Sequence, residues 1–153
     1  MRTTFLMLLL GLMTAPLPAA VRGDEALYVG GTISHLIPDK TEGKFDTSGE
    51  TAAVFRSKKG EVTIPYRQIL TLEYGQKAGR RVGAAIVVSP VLLFSKKRKH
   101  YLTVGFNDDH GKQQGAVFEL SKGSVRSVLT ILETRSGKSI EYESEEARKH
   151  AGK

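Results

Sequence analysis

The apolar residues of this chain follow two periods. Between residues 26 and 120 they recur at every second position in short bursts, the pattern of half-buried β-strands. From residue 125 they recur at spacings of three and four, the pattern of a helix. The first burst, residues 26–37, puts Leu27, Val29 and Ile33 on one side, with a bend or bulge at Gly30 and Gly31. Residues 38–49 are turn-rich and read as a loop. A second strand is expected over 51–56 and a turn over 57–60. A third strand follows, in which Val62, Ile64 and Tyr66 share a face. Pro65 lacks an N–H and belongs at an edge or a strand end. Leu70, Leu72 and Tyr74 alternate as a fourth strand, followed by a polar connector over 75–79. Leu102, Val104 and Phe106 mark a later strand. Residues 107–112 suit a hairpin connection, and Ala116, Phe118 and Leu120 form the last strand of the meander.

The helix is expected over 122–136, with Val125, Val128, Leu129 and Leu132 on its buried face. Ser121 or Ser124 can cap its start, and Gly137 can end it in the left-handed conformation. Ile140 and Tyr142 are expected to pack back on the body, and the charged tail 143–153 to fray. The fold class is therefore mainly β (α+β). A bent antiparallel sheet, or partly open barrel, of about six or seven strands is capped by one C-terminal amphipathic helix. The domain is expected to span 24–142.

Residues 1–23 read differently. Arg2 supplies a positive start, residues 5–13 a short apolar run, and Pro16 and Pro18 end it. Val21 and Gly23 stand where small residues precede a cut, so cleavage is expected after Gly23, with Ala20 the other position. The chain is thus read as exported, periplasmic or secreted. The apolar run is short for a bilayer span. There is no cysteine, which excludes a disulfide framework, thiol catalysis and thiolate zinc sites. The formal charge of +7 includes Arg2 and Arg22 and no acid from this leader, which leaves about +5 for the mature chain.

Within the domain one stretch departs from alternation. Residues 82–94 are apolar apart from Ser89, with a turn at Ser89 and Pro90. Bases flank them: Lys77, Arg80 and Arg81 before, Lys96, Lys97, Arg98 and Lys99 after. One reading makes this stretch a pair of core strands whose basic ends stay wet. The other lets Ile86, Val87, Leu92 and Phe94 enter one leaflet or a partner, while Arg80, Arg81 and Lys96, Lys97, Arg98 and Lys99 meet anionic head groups.

The order of strands and helix, the phrase running from Val62 to Tyr74 and the basic entry Lys96-Lys97-Arg98-Lys99-His100-Tyr101 into a late strand resemble the pleckstrin-homology-like barrel and its GRAM-like relatives. The resemblance covers about residues 26–136 and rests on shape more than on invariant residues. It implies a binding or scaffolding role without catalytic residues. Phosphoinositide recognition does not carry over, because Lys40 and Lys44 lie among Asp39, Glu42 and Asp46.

No nucleophile elbow, phosphate-cradling glycine loop or zinc spacing is present. His35, His100, His110 and His150 are scattered, and the adjacent Asp108, Asp109 and His110 suit a turn. Glu73 and Glu119 lie among apolar neighbours, with Arg67 or Arg126 as possible partners if buried. No catalytic residue, metal or cofactor is expected. The function expected is a non-catalytic binding module of the cell envelope that docks on an anionic membrane surface or a protein partner. Nucleic acid is disfavoured, since Tyr101 is the main aromatic beside the basic run. The alternatives are an assembly protein that oligomerises through 82–94, and an enzyme whose site is gathered from distant residues.

Overall fold

The computed structural model describes residues 24–76 and 99–152. The described residues form eight strands: β1 (Asp24–Gly31), β2 (Thr41–Asp46), β3 (Ala52–Ser57), β4 (Glu61–Pro65), β5 (Ile69–Gly75), β6 (His100–Asn107), β7 (Gln113–Leu120) and β8 (Ile140–Tyr142). A single 3-10 turn, Tyr66–Gln68, links β4 to β5. Two helices follow β7: α1 (Val125–Ser136), and α2 (Glu145–His150) after β8. The sheet order is β4-β3-β2-β1-β7-β6-β5-β8, antiparallel except for the β5–β8 pair.

That order forces the sheet to curl. In a flat sheet β4 and β5, six spacings apart, would lie about 29 Å from one another. Only Tyr66–Gln68 stands between Pro65 and Ile69, and those few residues reach at most about 15 Å. The sheet must therefore bend back on itself, and the result is an open half-barrel. Pro65 closes β4, an outer strand, where its missing N–H costs no ladder bond.

The concave face holds the core. Phe118 lies 4.8 Å from Phe45, 5.2 Å from Phe55 and 5.7 Å from Tyr28, ring centre to ring centre, all in tilted geometries. Ile64, Ile69, Leu72, Leu102 and Val104 extend this layer, and Val125, Val128, Leu129 and Leu132 of α1 close over it. The helix ends at Gly137 with φ 69°, the left-handed cap that glycine adopts at least cost. Arg135 ties α1 to the sheet. Its guanidinium donates to the carbonyls of Thr47 (2.9 Å) and Gly49 and lies 5.5 Å from the centre of the Tyr66 ring.

Several expectations change. The strand expected over 26–37 stops at Gly31, and residues 32–36 form turns that bring Ile33 into the core from outside the strand. Leu27, Val29 and Ile33 therefore do not share a side: Tyr28 points into the core, and Val29 faces the other way. Residues 38–49, expected as a loop, contain β2. Its polar outer face hides the strand, since only Thr41 and Phe45 are buried within it. A register shift between Ile69 and Thr71 puts Ile69 rather than Leu70 on the core face. The antiparallel meander of six or seven strands is an eight-stranded mixed sheet, because Ile140 and Tyr142 pack back as a strand parallel to β5. The helix begins at Val125 after a turn over 122–124. The tail expected to fray forms α2, whose start is capped by Ser144 Oγ accepting from Ala147 N (3.1 Å) and whose Ala147 is buried. The expected leader, residues 1–23, lies outside the described residues, as does the apolar stretch 82–94.

Candidate anionic-surface docking site

The outward side chains of β1, β2 and β3 alternate with the core residues, and Glu25, Glu42, Lys44 and Arg56 among them are charged. Glu25 pairs across the sheet with Lys44, Leu27 with Glu42, and Lys44 with Arg56. Lys44 and Arg56 are like charges in directly opposed positions, which costs stability unless one is neutralised. Arg56 is neutralised twice, by Asp46 (2.8 Å) and by Glu61 (2.8 Å). Asp46 also accepts from Ser48 N (2.8 Å). Hydrogen bonding from Ser48, and then the Arg56 guanidinium, holds its carboxyl below the usual carboxylate range.

The β3–β4 turn adds two more cations. Ser57 Oγ accepts from Lys59 N and Gly60 N (3.1 Å each) and donates to Gly60 O (2.9 Å), which fixes a tight turn with Lys58 and Lys59 exposed at its tip. Lys40 enters β2 from a left-handed backbone conformation, φ 60°. Lys40, Lys44, Arg56, Lys58 and Lys59 line one open groove of about 1070 Å³, with Glu25, Glu42 and Glu119 as its acids. Lys40, Lys44, Lys58 and Lys59 are exposed and make no ion pair with a described carboxylate. The groove therefore presents a modest positive excess to water, and it is shallow and open.

Of the cations singled out in the sequence, Lys99 lies among the described residues, and it is already engaged. Its ammonium donates to Glu119 Oε2 at 2.8 Å, and that bond raises its pKa. Lys99 is therefore the partner of Glu119, in place of the expected Arg67 or Arg126. Arg80, Arg81, Lys96, Lys97 and Arg98 lie outside the described residues, and so do Ile86, Val87, Leu92 and Phe94. The groove lysines were not singled out as a set, because β2 reads as a loop. Only the cross-strand register gathers Lys40 and Lys44 beside the β3–β4 turn.

The other titratable groups are dispersed. Tyr74 Oη lies 2.6 Å from His100 Nδ1 and the two rings stack, with centres 6.2 Å apart. Burial pushes the Tyr74 hydroxyl up to about 12 and lowers the His100 pKa, so the neutral phenol and the neutral imidazole are both favoured in this hydrogen-bonded pair. Neither residue lines the groove. Asp108 accepts from His110 N (2.9 Å), Lys112 N (2.9 Å) and Gln114 Nε2 (2.8 Å), which is the work of a β6–β7 turn. No group of acids and histidines that could hold a metal ion occurs among the described residues. No described helix is long and apolar enough to cross a membrane. Compared with known proteins, the chain matches no protein-family model and no curated protein.

Proposed function

We propose that the chain is a non-catalytic, pleckstrin-homology-like docking module of the cell envelope, exported by the leader 1–23, that rests on an anionic membrane surface. The observation that carries this reading is the groove with four exposed lysines, none paired with a described carboxylate, at the outer end of β1, β2 and β3. A curled sheet closed by a terminal helix supports the barrel resemblance. The groove's shallowness suits a surface better than an enclosed small molecule, since small-molecule sites bury most of their ligand.

The physical basis is long-range attraction. Each lysine near an anionic leaflet contributes about 1 kcal/mol, and the attraction decays within a Debye length. Lys58→Ala/Lys59→Ala removes two such charges, so vesicle affinity should fall by about 2 kcal/mol, roughly thirtyfold. The test is co-sedimentation of the chain from Asp24 onward with phosphatidylglycerol-containing and purely zwitterionic vesicles, at low and high salt. Binding that needs the anionic lipid, weakens with salt and drops in the double variant is expected. Equal binding to both vesicle types, or binding indifferent to Lys58 and Lys59, would remove the reading.

A further inference from the structure

Among the described residues one large apolar side chain is left in water. Leu36, between β1 and β2, is 53% exposed, and the other large apolar residues are buried or half-buried. A single exposed leucine is ordinary on a protein surface, so its surroundings decide what it can do. Leu36 sits on a turn that is tied down on both sides. Leu36 N and Ile37 N both donate to Ile33 O, at 2.9 and 3.2 Å, and the side chains of Ile33 and Ile37 are buried in the core. Thr41 Oγ1 donates to Pro38 O (2.6 Å), and Ser34 Oγ donates to Asp39 Oδ1 (2.5 Å). The two isoleucines hold the turn to the body and leave the leucine between them outside.

This turn touches the one that carries the groove lysines. A Cβ at Gly60 would meet Leu36 O at 2.9 Å and Ile37 Cγ1 at 3.4 Å, a close approach that glycine permits. Gly60 closes the β3–β4 turn directly after Lys58 and Lys59, and Lys40 follows on the Leu36 side, at the entry to β2. Lys40, Lys58 and Lys59 are exposed and make no ion pair with a described carboxylate. The acids adjoining them in sequence are engaged: Asp39 accepts from Ser34, and Glu61 is paired with Arg56. An apolar side chain on a fixed turn is thus set beside three cations.

We infer that Leu36 is the apolar anchor of this face, entering an anionic leaflet while Lys40, Lys58 and Lys59 meet the phosphates around it. The inference rests on the membrane-docking reading and adds insertion to attraction. Charge complementarity selects the occupant, since the cations around the leucine call for a surface that is anionic outside and apolar beneath. The two contributions differ in kind. Attraction by the lysines reaches about one Debye length and weakens with salt, whereas removal of a leucine from water acts at contact and is not screened. About half of the Leu36 side chain is exposed, so its insertion should strengthen binding by about fivefold to tenfold, half of what full burial of a leucine would give.

The chain has no tryptophan, which makes the test local. In the full chain, Leu36→Trp places a single fluorophore on the turn, and Thr130→Trp places one on the exposed side of α1. Each is titrated with phosphatidylglycerol-containing and with purely zwitterionic vesicles, with and without brominated acyl chains. In the anionic vesicles Leu36→Trp is expected to shift to the blue and to be quenched by the bromine, and Thr130→Trp to do neither. Leu36→Ser should bind these vesicles about fivefold to tenfold more weakly, with the circular dichroism spectrum of the parent. Anion-dependent, salt-sensitive binding of the parent with Leu36→Trp unshifted and unquenched would overturn the anchor and leave the docking reading standing. So would equal quenching at both positions, or unchanged affinity in Leu36→Ser. Equal binding to both vesicle types, or none to either, would overturn the docking reading and the anchor with it.

Discussion

Phe118 is the residue on which the curl of the sheet turns. It sits on β7, fully buried, and its ring meets one aromatic each from β1, β2 and β3. Phe118→Ala leaves a cavity at the junction of four strands, and such truncations cost about 3–5 kcal/mol. Tilted aromatic pairs add about 0.5–1.5 kcal/mol each beyond their buried area, so three partners place the loss near the upper figure, about 5 kcal/mol. A domain of this size holds only about 5–15 kcal/mol in all, and the variant should melt roughly 15 °C lower or more. Phe118→Leu keeps most of the volume without the ring and should lose about 1–2 kcal/mol. Urea unfolding followed by circular dichroism measures both, with the slope against denaturant unchanged if the native and unfolded states keep their compactness. A loss under about 2 kcal/mol for Phe118→Ala, at constant slope, would mean that the ring does not join the strands and that the curl is held elsewhere.

Three further outcomes are expected. Asp46 has a folded pKa below its ordinary 3.8, so its contribution is complete above that value and is lost as pH falls through the folded value. Asp46→Asn should be less stable at pH 7 and should show a shallower acid limb in thermal melts, and parallel limbs would count against the role given to Ser48 and Arg56. His100 also has a lowered pKa, chiefly through burial and then through His150 and Lys122, so the unfolded chain takes up its proton first. Stability should be complete above the ordinary 6.5 and decline as pH drops below it, and His100→Gln should flatten that decline in urea midpoints measured between pH 5 and 7.5. Gly31 has φ +151°, and a methyl group there would overlap the Gly115 carbonyl. Gly31→Ala should therefore cost about 1–3 kcal/mol, and an unchanged melting temperature would show that β1 and β7 have room to part.

What was legible in the sequence followed from one-sided burial. The strands around Phe55, Val62 and Leu72 alternate cleanly because one neighbour in two meets the core, and α1 announced itself by the same logic at a helical period. β2 escaped because Gly43, Glu42 and Lys44 stand between its two buried residues, and its Thr-Glu-Gly-Lys start has the composition of a turn. β8 and α2 escaped because each is short and owes its place to packing: Ile140 lies beside Leu72 in the parallel pair, and Ala147 is buried as one small side chain among charges. The groove was illegible for a further reason. Lys40, Lys44, Lys58 and Lys59 are spread over three segments of sequence, and only antiparallel registers that no local pattern encodes make them neighbours.

On the docking reading proposed above, stability and docking would be carried by opposite faces of the same strands, and this makes that reading separable from the fold. Phe45 and Phe55 point inward to Phe118, while Lys44 and Arg56, one residue away on each strand, point outward. Substituting exposed Lys58 or Lys59 should move stability by no more than about 0.5 kcal/mol, because neither makes a buried contact. A variant that loses vesicle binding while melting like the parent would thus report on the groove alone. Tyr28 and Tyr74 are raised to about 12 by burial, while Asp46 and Asp108 are lowered by hydrogen bonds from their own turns. Each of these shifts has a local structural cause. Lys40, Lys44, Lys58 and Lys59 are exposed and make no ion pair with a described carboxylate, and on the docking reading such cations are what an anionic surface would meet first.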